Sequence, residues 1–152
     1  MLATANGILT HTVNFSFSVE TFAVDVTITY KSKLRVILVY IPYSSDNEYV
    51  QRFFNKLCEL TRVNYDYIIM GDLNIPTFDW ERYTANTFAE KHLLEFLCKS
   101  QPFERIIPFS TRNTNILNVS LTNNTKLIKE VTKLLPDGIS DHCVITSKLS
   151  LY

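Results

Sequence analysis

Apolar residues return along this chain with two different periods. FSFSV (15–19) and FAVDVTITY (22–30) alternate apolar with polar positions, the mark of strands with one buried face. LRVILVYIP (34–42) is apolar almost throughout, as expected of a strand covered on both faces. A helical period follows. Tyr49, Val50, Phe53, Phe54, Leu57 and Leu60 recur every three or four residues and predict an amphipathic helix over 46–62. Ser45 and Glu48 in front of it read as a capping box. Residues 66–70 read as a short buried strand. A second capping box, Thr87 with Glu90, opens another helix. Its inner face is Ala89, Leu93, Phe96 and Leu97, and Pro102 bounds it. Segments 103–107, 115–123, 126–135 and 142–151 read as strands. The third of these is compatible with a helix by composition, and its Thr and Val tip it to strand. Strands alternate with helices early and follow one another late. That order gives an α/β layered domain with a mixed sheet, or with two packed sheets.

Composition narrows the class. The 152 residues suffice for one domain with a core, and 46% apolar against 20% charged residues excludes global disorder. Formal net charge is zero, so no overall positive field draws the protein to nucleic acid, and such binding needs a local patch. Cys58, Cys98 and Cys143 are odd in number and lack a CxxC pair, which reads as reduced core cysteines rather than a disulfide framework or a zinc site. The N-terminal stretch lacks a basic region followed by an apolar one, and no apolar run is long enough to span a bilayer. The expectation is an intracellular protein with no membrane partner.

Candidate chemistry begins in YIIMGDLNIPTFDW (67–80), where a buried strand opens onto Asp72 and Asn74. Two apart on extended backbone, they are expected to point to the same side. A carboxylate beside an amide is a hard-oxygen site, suited to Mg²⁺ and a phosphate, although Gly71-Asp72 can equally be a plain turn. The second candidate is GISDHCVI (138–145), where Asp141 and His142 precede an apolar strand. A histidine beside an acid can act as a general base, and the same pair can be a solvated loop. His92 and His11 read as flank residues rather than ligands.

Taken together, GDLN at a strand end and SDH ahead of the last strand resemble the endonuclease/exonuclease/phosphatase superfamily. VYIPYSS (39–45) is similar to its strand end bearing a phosphate-contacting tyrosine, here Tyr40. GDLNIPTFDW resembles the form found in endonuclease domains of non-LTR retrotransposons, and TRNTNILNVSLTNN (111–124) followed by GISDH resembles their tail. The resemblance implies a two-sheet α/β sandwich and Mg²⁺-dependent hydrolysis of a DNA phosphodiester. It also implies the roles. Asp72 orients or deprotonates the attacking water, and Asn74 holds the phosphate. Tyr40 stands by the phosphate or leaving group. Asp141 lies near the metal, and His142 contacts the phosphate as it gains charge. Arg112 and Asn113 lie on a loop that faces DNA in that family, with an ordinary surface arginine as the alternative, and Trp80 can stack on a base or equally plug the core.

Two departures accompany the resemblance. Nothing before LRVILVY matches the family's metal-binding Glu motif, and Glu20 stands in another context. Residues 1–152 therefore read as a single partial domain lacking the first strands, with an open sheet edge through which it can self-associate. The family's Asp partner of the SDH histidine is Asn118 here, and an amide accepts that hydrogen bond without stabilising imidazolium. The expectation is a retrotransposon-type endonuclease domain with weak or no activity, in an intracellular and possible nuclear setting. The alternatives are a catalytically inert nucleic-acid-binding domain and a phosphatase of small phosphoesters.

Overall fold

A computed structural model describes residues 9–13, 19–30, 32–100, 104–105, 116–135 and 143–150. Strands β1 (Leu9–Val13), β2 (Thr21–Thr29) and β3 (Ser32–Tyr40) form an antiparallel run. Helix α1 (Asn47–Thr61) then crosses back, so that β4 (Asp66–Asp72) pairs with β3 in parallel. Helix α2 (Phe88–Lys99) precedes β5 (Glu104–Arg105) and β6 (Asn118–Thr122). These strands make one mixed sheet in the order β1-β2-β3-β4-β6-β5. A short 3₁₀ turn at Thr125–Leu127 leads into β7 (Ile128–Leu134), which pairs with β8 (Val144–Leu149) in a separate two-stranded sheet.

Alternation along the strands sorts side chains to two faces. Ala23, Ile37, Val39, Ile69, Val119 and Leu121 meet Phe53, Phe54, Leu57, Leu93 and Phe96 of the helices. On the opposite face, Val24, Val26, Leu34, Val36 and Ile68 meet Leu127 of the 3₁₀ turn and Ile128 and Leu149 of the second sheet. Over Leu34–Ile37 β3 is covered on both sides and its sequence is apolar apart from Arg35, whereas Leu38 and Tyr40 further along are exposed. Phe53 is wholly buried, and a side chain of that size contributes about 1.5–3 kcal/mol when removed from water.

Several expectations are corrected. The cap of α1 is Asp46, whose carboxylate accepts from Tyr49 N at 2.7 Å, because the helix begins later than the Ser45–Glu48 box requires. Ser45 instead closes a turn, its N–H donating to Pro42 O at 3.0 Å. The Thr87–Glu90 box is present. Segment 126–135 resolves to strand after the 3₁₀ turn, and β1 is a strand that alternation left unread. Most of FSFSV lies outside the described residues. The cysteines are free but not core residues, with Cys98 exposed and Cys58 and Cys143 half-buried. Among the described residues no helix is long and apolar enough to cross a membrane.

Candidate functional site

Strand registry assembles the site. Tyr40 ends β3 opposite Asp72 of β4, and Asp72 in turn lies opposite Asn118 of β6. Residues in register on neighbouring strands share a face, with strands about 4.8 Å apart. Three sequence-predicted residues therefore form a single row across the end of the sheet. The row lies on the face that carries Leu34, Val36 and Ile68, beyond the part covered by β7 and β8. Tyr40 is 47% exposed, whereas Asp72 and Asn118 are half-buried.

Backbone chemistry fixes how β4 leaves the sheet. Gly71 has φ +145°, and a Cβ there would stand 1.8 Å from Val39 O. Only glycine fits so close to the neighbouring strand. Asn74 does not continue the extended backbone beyond Asp72. It adopts a left-handed φ of 48°, which breaks the alternation that placed it on the same side as Asp72. The two still meet through a turn, because Asn74 N donates to Asp72 Oδ1 at 2.8 Å. Asn74 Nδ2 donates to Ile41 O at 2.8 Å, so the amide is held against the end of β3. Asparagine tolerates this conformation better than most residues with a Cβ.

The 73–87 loop is tied to α2 by a carboxylate that the sequence presented as a simple cap. Glu90 is 1% exposed. Its Oε2 accepts from Asn86 N at 2.5 Å and Thr87 N at 2.8 Å, while Oε1 accepts from the Thr77 hydroxyl. Burial pushes its pKa up, yet these donors outweigh burial and hold it below the ordinary carboxylate value.

Of the two readings of Trp80, the structure takes the core and corrects the base-stacking one. Trp80 is 8% exposed and packs edge-on to Phe78 with ring centroids 4.8 Å apart, so its face belongs to the core and not to a stacking surface. Arg112, Asn113, Asp141 and His142 lie outside the described residues. Among the described residues no group of three or more His, Cys, Asp or Glu is placed to hold a metal ion. The described donors in the row are oxygen and amide groups with one carboxylate, a set whose chemistry suits a hard cation that keeps most of its water.

A second polar cluster escaped the sequence reading. The Arg35 guanidinium forks onto Asp25 with bonds of 2.7 and 2.9 Å. It also donates to Leu60 O at 2.9 Å and to the Tyr65 hydroxyl at 2.8 Å. Tyr65 in turn donates to Asp25 Oδ2 at 2.7 Å. An arginine inside LRVILVYIP and an aspartate inside FAVDVTITY were the available signal, since charges within buried strands require partners. A cavity of about 490 Å³ lined by Cys58, Arg62, Tyr67 and Lys99 lies at the start of β4, the opposite end from the row.

The profile of the endonuclease–reverse transcriptase family matches residues 34–146. No curated protein sequence matches the chain. Among solved structures, the endonuclease domain of TRAS1, a telomere-specific non-LTR retrotransposon, aligns with TM-score 0.71 at 10% identity over 93% of this chain. The 3′ phosphatase NExo from Neisseria, bound to product DNA hairpin, gives 0.58 at 17% identity over 86%. An endonuclease/exonuclease/phosphatase family protein from Leptotrichia buccalis gives 0.55 at 12% over 97%. This chain spans 68, 64 and 61% of those three proteins respectively. At such identities the likeness is one of fold.

Proposed function

The chain belongs to the endonuclease–reverse transcriptase family of the endonuclease/exonuclease/phosphatase superfamily, and from that premise we propose that it is a retrotransposon-type endonuclease domain with weak or no activity of its own. The ancestral reaction is Mg²⁺-dependent hydrolysis of a DNA phosphodiester. The observation that supports this most is the row Tyr40–Asp72–Asn118, set by the pairing of three strands.

In this reading Asp72 orients the attacking water and accepts its proton. Asn74, with one amide N–H anchored on Ile41 O, directs the other to a phosphate oxygen. Tyr40, half-exposed beside Asp72, faces the phosphate or the leaving oxygen. Asp141 is the proposed ligand of Mg²⁺ and His142 the proposed phosphate contact. Mg²⁺, when bound, would supply the charge that stabilises the phosphate oxygens in the transition state. Asn118 is the weak point. An amide cannot balance a protonated histidine, and the corresponding Asp to Asn change in a serine protease lowers the rate about ten-thousand-fold. The same asparagine favours a second reading, a catalytically inert domain that retains nucleic-acid affinity.

Nicking of supercoiled plasmid, with Mg²⁺ and with chelator, tests the proposal. The expected result is little nicking by the chain as it stands and a marked gain in Asn118→Asp, lost again when Asp72→Asn is added. Fast nicking by the unmodified chain would overturn the weakened activity. Nicking insensitive to Asp72→Asn would overturn the site. Salt-dependent retention of DNA with no cleavage in any variant would select the second reading.

A further inference from the structure

The loop after the row presents an aromatic ring that neither the sequence motif nor the family comparison singles out. We propose that Tyr83 stacks on an unpaired base of the nucleic acid, the role the sequence offered to Trp80. The inference rests on the reading of this chain as a DNA-binding domain.

The turn that carries Tyr83 is closely specified. Asp79 Oδ1 accepts from Glu81 N and Arg82 N, each at 2.9 Å, and Asp79 O accepts from Tyr83 N at 2.8 Å. A bridge between Asp79 and Thr84 closes it. The turn sets both of its aromatics edge-on to Phe78 but buries them unequally. Trp80 goes into the core, whereas Tyr83 remains 46% exposed. The Tyr83 ring stands nearly perpendicular to Phe78, centroids 6.3 Å apart, so the buried Phe78 braces it from one side. Its backbone has φ +52°, a region that bulky residues disfavour and glycine or asparagine fill readily. A tyrosine in a conformation suited to glycine, braced and left half in solvent, points to a use for the ring rather than for the backbone.

Position agrees with this use. The loop starts from the end of β4 that bears Asp72 and finishes at the N-terminus of α2, which Glu90 ties to Thr77 of the same loop. Tyr83 therefore belongs to the loop that leaves the row's end of the sheet, and it leans on Phe78 of the helix-side core. Its sequence neighbour Arg82 has a side chain 83% exposed that pairs with the Asp79 carboxylate at 3.7 Å, and an exposed pair of this kind can be exchanged for a backbone phosphate. Aromatic rings beside cations are the usual means of holding single-stranded nucleic acid without reading its sequence.

Fluorescence anisotropy of a short labelled DNA single strand, paired with thermal unfolding, tests the proposal. Tyr83→Phe keeps the ring and is expected to bind as the unmodified chain does. Tyr83→Gly relieves the backbone and removes the ring. It is expected to unfold at the same or a higher temperature while losing affinity about 5- to 150-fold, the effect of one base–aromatic stack. Unchanged affinity in Tyr83→Gly would overturn the stacking role while leaving DNA binding intact. Absence of binding by the unmodified chain would overturn DNA binding itself, and the stacking role with it.

Discussion

Replacing Asp25 by Asn keeps the shape of the side chain and removes its charge, which isolates the worth of the Arg35 cluster. Two of the four hydrogen bonds from the guanidinium go to that carboxylate. An asparagine oxygen can take one of them, and its NH₂ group then faces a donor. The Arg35 and Asp25 side chains are only 11% and 14% exposed, so the arginine charge is left largely uncompensated. Breaking one partner of a buried pair costs about 3–5 kcal/mol, and the residual exposure argues for the lower end. At about 3 kcal/mol, a chain of this size loses roughly 6–12 °C in Tm. The assay is thermal and urea unfolding at neutral pH. The double replacement Asp25→Leu with Arg35→Met is expected to recover part of the loss, because it leaves no buried charge behind. A stability within about 0.5 kcal/mol of the unmodified chain for Asp25→Asn would refute the reasoning. The pH dependence has a definite sign. Burial raises the Asp25 pKa, but hydrogen bonds from Arg35 and Tyr65 and the Arg35 charge outweigh it, and the folded value falls below 3.8. The stabilisation is therefore complete above 3.8 and disappears as pH falls through the folded value. The gap between the two proteins should close over that acidic window.

Gly71→Ala sets a Cβ against Val39 O in a backbone region alanine avoids, and the combined cost is about 4 kcal/mol or more by urea unfolding. A fully folded variant with unchanged midpoint would contradict the geometry. Glu90→Ala leaves the Asn86, Thr87 and Thr77 donors without their acceptor and should cost about 2–3 kcal/mol. Glu90→Gln, which can still accept the two backbone N–H groups, should cost less, and equal losses would argue against the loop tie. Phe22, Leu38, Leu134 and Val144 are each 39–50% exposed, so size-exclusion chromatography is expected to show association that weakens when Leu38→Lys is introduced. Elution of both proteins as monomers at high concentration would count against it.

Much of this architecture was legible because burial leaves a period. The nearly continuous apolar run at 34–42 announced a strand covered on two faces, and the packing of β3 between helices and second sheet accounts for it over Leu34–Ile37, beyond which Leu38 and Tyr40 are exposed. Tyr40, Asp72 and Asn118 came from motifs, and registry brings them together in one row. Other features were hidden because their physics is tertiary. Asn74 left the strand by a left-handed turn that alternation does not encode. Trp80 and Tyr83 stand three apart in a polar stretch, and only the fold of the Asp79 turn decides which ring is buried. Glu90 looked like an ordinary capping residue, since the reach of its second oxygen to Thr77 depends on how the loop returns.

The row is closed by Asp72 opposite Asn118, a pairing between stretches separated by α2 and the loops around it. In kinetic terms this closure comes late. The β2–β3 hairpin and α1 are local and can form early, whereas β4–β6 must first bring distant segments together. A chain emerging during synthesis would hold Tyr40 and Asp72 in place well before Asn118 arrives. The site would then be a clock for the last stage of folding, and pulsed hydrogen exchange should find the Asp72–Asn118 ladder protected after that of Phe22–Leu38.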